Sequence, residues 1–86
     1  MSPVEAAHLA AIKMQEERNT YRWSDYTRTP AEHLLILTEE VGEVARAMQG
    51  GAEYTWPPTY SKDVYRELVD AGAVILAMMK ACECAL

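Results

Sequence analysis

Ser2-Pro3-Val4-Glu5 and Thr29-Pro30-Ala31-Glu32 are one helix-starting pattern written twice in a short chain. A hydroxyl side chain can accept the amide proton three residues on, and the glutamate there can return the bond to the hydroxyl residue's own amide. Proline between them costs nothing, because the first helical amide has no partner within the helix. A third start is expected at Ser61, with Asp63 in the first turn favouring the helix dipole. The first helix is expected to fray near Asn19, and Gly50-Gly51 to close the second with a left-handed residue. Pro57 and Pro58 exclude regular structure from the next connection, and the third helix runs from Lys62 nearly to the end. No stretch alternates as a strand would, and no repeat or low-complexity segment interrupts the pattern. The fold class is all-α: three helices in a single domain over residues 1–86.

Half of the 86 residues are hydrophobic, more than so small a core accommodates alone. The expected outlet is homo-oligomerisation, a homodimer or homotetramer in which chains share four-helix-bundle-like cores. A formal net charge of −5 argues against nucleic acid or an anionic membrane surface as partner. The longest apolar stretch, 71–79, is far too short to span a bilayer, and the N-terminal segment lacks the basic start of a signal peptide. Cys82 and Cys84 stand one residue apart, too close to staple a fold, and read as packing or solvent residues. The cytoplasm is the expected compartment.

On the second helix, Leu34, Leu37, Val41, Val44 and Met48 form an apolar stripe at about 100° per residue. Glu39, Glu40 and Glu43 share roughly the opposite face, among Leu35, Ile36 and Ala47. On the third helix the stripe is Val64, Leu68, Ala71, Ile75 and Met78, with Glu67 and Asp70 together at its edge. An acid pair at such spacing is ordinarily solvated surface charge. Five acids on two mostly apolar helices are a different matter, because like charges in a poorly solvated cleft repel by kilocalories unless a cation neutralises them. Hard divalent ions take oxygen ligands, and facing helices of a bundle are a known way to supply them.

The constellation reads E-E-x-x-E, then twenty-three residues, then E-x-x-D. It resembles the signature of the MazG-like nucleoside triphosphate pyrophosphohydrolases, an all-α family whose members also act on dUTP, dCTP and phosphoribosyl-ATP. "RWSDYTRTPAEHLLILTEEVGEVARAMQG" is similar to that family's run from a tryptophan-containing loop into its first metal helix, and "YRELVDAGAVILAMM" to its second. The resemblance covers about half of the chain. It implies a Mg²⁺-dependent hydrolase that cuts a nucleoside triphosphate into the monophosphate and pyrophosphate. Position by position, Glu40, Glu43, Glu67 and Asp70 match the metal ligands. Glu39 matches the leading acid, for a further metal or the attacking water. Trp23 matches a tryptophan often found near the nucleobase.

Trp56, flanked by Tyr54 and Tyr60, could stack on a base or cover the site, although a structural role for either tryptophan is the plainer reading. Lys62 and Lys80 are candidates for the outer phosphates, as are Arg22, Arg28 and Arg46, though Arg46 sits three residues after Glu43 as an ordinary helical ion pair would. His8 and His33 rank as structural or surface residues. The chain stops sixteen residues after Asp70, earlier than many members of that family, which leaves the substrate contacts of that region open and raises the chance that a neighbouring subunit completes the pocket. Two alternatives stand beside the hydrolase: a non-catalytic helical module that assembles through its apolar faces, and a phosphoribosyl-ATP pyrophosphatase.

Overall fold

The computed structural model describes residues 1–23, 28–49, 51 and 56–83, with the side chains of Arg22 and Trp23 outside that set. Among the described residues there are three helices and no strand: α1 (Pro3–Trp23), α2 (Pro30–Met48) and α3 (Lys62–Glu83). None of them is long and apolar enough to cross a membrane.

Each helix begins where its cap dictates. The Thr29 hydroxyl accepts from the Glu32 amide at 3.2 Å, and the Glu32 carboxylate accepts from the Thr29 amide at 3.1 Å. That pair holds the Glu32 carboxyl below its ordinary range, the Thr29 backbone bond contributing most. Ser2 accepts from the Glu5 amide at 3.1 Å and Ser61 from the Val64 amide at 3.2 Å. At the other end of α2, Gly51 takes φ +111°, a conformation that side chains rarely tolerate, and its amide donates to the Met48 carbonyl. Gly50 lies outside the described residues. α1 continues to Trp23 rather than fraying near Asn19. Its last turns are held from the side, by Gln15 donating to Asn19 at 2.9 Å and Thr20 donating to Glu16 at 3.1 Å.

α3 is the central element. It packs against both α1 and α2, which scarcely touch each other. α1 runs parallel to α3, as the contacts His8–Tyr65, Ile12–Gly72 and Glu16–Lys80 show in that order along both helices. Gly72 lets α1 approach closely: a Cβ there would lie 3.0 Å from Ile12 Cδ1. Glu16, only 3% exposed, accepts from Lys80 at 2.7 Å and from Thr20, which satisfies a buried carboxylate that would otherwise be costly. The buried core itself is thin: Val64, Ala71, Ala73, Val74 and Ala77, all on α3.

The apolar stripes meet only in part. α2 turns His33, Ile36, Glu40 and Ala47 toward the rest of the chain, half-covers Leu37, Val44 and Met48 of the stripe, and leaves Leu34 and Val41 57% and 56% exposed. On α3, Val64 and Ala71 are buried, whereas Leu68 and Ile75 stand almost half exposed with Met79 beside them. Periodicity identifies an apolar face; it does not say which neighbour that face meets. Here the acid-bearing face of α2 docks on α3, and part of each stripe remains uncovered.

Candidate functional site

Glu40 leaves the middle of α2 on the face that meets α3, and Glu67 and Asp70 leave α3 about one turn apart. One carboxylate oxygen from each lies within 4.8 Å of the others, and all three residues are half-buried. Glu43, one turn beyond Glu40, contacts the Glu67 carboxyl and stands more open to solvent. Four of the five acids singled out in the sequence therefore converge at the α2–α3 seam. Glu39 is exposed, and its charge is the least of those acting on Glu40.

The convergence has an electrostatic cost, visible in the proton affinities. Burial, then the charges of Glu43, Asp70, Glu67 and Glu39, push the Glu40 carboxyl up to about 7. Glu67 is raised first by burial, then by a hydrogen bond with the Glu43 carboxyl, which requires a proton, and by the charges of Glu43, Asp70 and Asp63. Asp70 is raised by burial and by Glu43, and the Arg18 charge opposes the rise. Glu40 Oε2 and Glu67 Oε2 are buried with no hydrogen-bond partner among the described residues. Orphaned acceptors of this kind are rare in folded proteins and call for an explanation. The donor set is all oxygen, negatively charged and partly dehydrated, which fits a hard divalent cation better than a soft one.

A pocket of about 320 Å³ adjoins the cluster. Glu40 forms part of its wall, with Asn19 from the end of α1, His33 and Ile36 from α2, and Val74 and Ala77 from α3. Arg28 also lines it and has contacts of its own. His33 is 5% exposed, and its Nε2 has no hydrogen-bond partner among the described residues.

The remaining candidates are placed less centrally. Trp56 is 90% exposed and is not part of this pocket's wall. The Trp23 side chain lies outside the described residues, as do Tyr54 and Cys84. Lys62 is exposed at the start of α3. Lys80 is held by Glu16, between α1 and α3, which ties its ammonium to a structural role. Arg46 is exposed in the last turn of α2, and Cys82 is an exposed free thiol. His8 Nδ1 lies 2.8 Å from the Tyr65 hydroxyl, a contact between α1 and α3.

Arg18, Asn19 and His33 carry more weight here than their sequence context suggests. Arg18 and Asn19 follow Gln15 by three and four residues, a spacing that marks one polar face of α1, and that was the available signal. For His33 there was none, since a single histidine in a run of leucines does not announce its burial.

Comparison of the chain with protein-family models, with curated proteins and with solved structures found no match. The geometry of the site and the motif resemblance are thus what bear on function.

Proposed function

We propose that the chain is a divalent-cation-dependent hydrolase that cleaves nucleoside triphosphates to the monophosphate and pyrophosphate, working as a homo-oligomer. The observation that carries this reading is the meeting of Glu40, Glu67 and Asp70 oxygens within 4.8 Å, two of these residues holding buried acceptors without a partner among the described residues. The oxygen-only donor set supports a hard cation, and the choice of Mg²⁺ follows the motif resemblance. Glu40, Glu43, Glu67 and Asp70 are the residues that would hold it. When bound, the ion supplies positive charge against phosphate oxygens and acidifies a water molecule.

The chain's own residues supply position and exclusion. Phosphoryl transfer asks little covalent chemistry of a protein, mainly alignment and neutralisation of charge. The α2–α3 seam brings three carboxylates together with Glu43 beside them, while Ile36, Val74 and Ala77 keep one side of Glu40 apolar. Glu39, exposed beside Glu40, takes the remaining role, a further cation or the orientation of the attacking water.

The test is Mg²⁺-dependent pyrophosphate release across the standard and several modified nucleoside triphosphates. Glu43→Ala and Asp70→Ala should abolish release while far-UV circular dichroism keeps its helical signal. Undiminished turnover in both variants removes these ligand assignments. One observation favours a second reading: the uncovered apolar residues Leu34, Val41, Leu68 and Ile75 would equally serve a non-catalytic assembly module. Silence across the whole substrate panel from a folded oligomer selects that reading.

A further inference from the structure

His33 is the residue the hydrolase reading leaves unused. The segment around it runs His33-Leu34-Leu35-Ile36-Leu37, so an apolar side chain at the same position would be unremarkable in this helix. Instead an imidazole is 95% buried, with Nε2 unsatisfied among the described residues, at the wall of the pocket that Glu40 shares. A buried nitrogen without a partner is destabilising, and a group entering the pocket that supplies the hydrogen bond recovers the loss.

The walls say what chemistry that is. Ile36, Val74 and Ala77 offer apolar surface of the kind that covers the faces of a planar ring. Asn19 Oδ1 already accepts from Gln15, so the amide NH₂ is what Asn19 has left to donate. The imidazole can donate or accept through Nε2 according to its tautomer. Glu40, on the same wall, disfavours an uncompensated anion. Arg28 also lines the pocket but has contacts of its own. A neutral heteroaromatic ring with a polar edge uses both the apolar walls and the polar groups, whereas a bare phosphate would use the donors alone and leave the apolar walls uncovered.

We propose that this pocket receives the nucleobase, and that His33 Nε2 makes the hydrogen bond that discriminates among base edges. The proposal rests on the nucleotide reading of the acidic cluster for the neighbouring phosphates, and it deepens that reading by assigning a recognition residue. His33 does no chemistry on the phosphates; it selects.

The chain has two histidines, which makes the test direct. His8, tied to Tyr65 on the other flank of α3, serves as an internal reference for imidazole NMR signals. Adenosine, guanosine, cytidine, uridine and thymidine lack the phosphates a cation would hold, so they probe the pocket alone. At least one should shift the His33 signals saturably and leave those of His8 in place.

His33→Leu should compress the spread of triphosphate affinities among bases by about tenfold, the worth of one selective hydrogen bond. Triphosphate binding is measured with Ca²⁺ in place of Mg²⁺ to prevent turnover. In the same variant Mn²⁺ binding, followed by electron paramagnetic resonance, should be unchanged and the Tm should not fall. His33 signals unmoved by every nucleoside and triphosphate overturn the proposal. So does base discrimination that survives in His33→Leu, or an equal loss for every base accompanied by a lower Tm. Pyrophosphate release with an unresponsive His33 would spare the hydrolase reading and sink this one. A responsive His33 without any release would do the reverse.

Discussion

Glu40 sits where an uncharged residue would fold more comfortably. Its proton affinity is raised from about 4.5 to about 7 by burial and by its acidic neighbours, and that rise has a definite sign for stability. Between those two values the folded chain binds more protons than the unfolded one, so stability falls as pH rises through the window. The penalty is absent below the unfolded value and complete above the folded one. Without divalent cations the Tm should therefore be higher near about pH 5 than near about pH 8, and Mg²⁺ should restore the loss at the higher pH. Glu40→Gln should flatten that pH dependence in EDTA, raise the Tm at about pH 8, and lower Mg²⁺-dependent turnover by about a hundredfold or more. A Tm that rises between about pH 5 and about pH 8 in EDTA, or is indifferent to Glu40→Gln, would show that the acids are not held together as described.

At the scale of helices, α2 depends on its cap. Thr29→Ala removes one half of a reciprocal pair and should cost about 1 kcal/mol, read as a lower midpoint in urea denaturation. It should also weaken Mn²⁺ binding, because the same helix carries Glu40. The α1–α3 contact has its own test. Lys80→Met leaves the Glu16 carboxylate in a buried position with Thr20 as its one remaining donor among the described residues, and should cost about 2 kcal/mol. Glu16→Leu combined with Lys80→Met should recover most of that, since no charge is then left unpaired. The caps and the acid spacing were legible in the sequence because they act within a few residues of one another. Thr29 finds Glu32 three positions away, and Glu67 shares a face with Asp70 by helix geometry alone. The docking of α2 was not legible in its apolar periodicity, which points to the Leu34 stripe, although a shared acid site implies that Glu40 faces α3. Whether Leu34 or Glu40 faces α3 depends on a partner more than twenty residues distant, and the same holds for the burial of Glu16 and His33.

The whole molecule is more open than its length warrants. Its Cα radius of gyration is 14.4 Å, where a compact chain of this length has about 12 Å. Its accessible surface is 6629 Å², against about 5100 Å² for a folded monomer of this mass. The excess is about twice the roughly 800 Å² that one partner contributes to a standard protein–protein interface, and exposed Leu34, Leu35, Val41, Leu68, Ile75 and Met79 supply apolar area for one. If copies of the chain share this surface, sedimentation should find a dimer or larger. Ile75→Glu should then shift the distribution toward monomer, with helical content reduced because the thin core loses its cover. A wild-type chain that sediments as a monomer at high concentration would remove the oligomer from the proposal.

α3 is the hub to which the other two helices attach, and it is also the last of the three to be synthesised. While α1 and α2 emerge from the ribosome they have almost nothing to pack on, since they scarcely meet each other. Glu67 and Asp70 arrive only with α3, so the crowding of negative charge around Glu40 is deferred to the step that completes the fold. If the proposed cation site is filled, its capture belongs to that same step, and metal binding and the close of folding would then be one event rather than two.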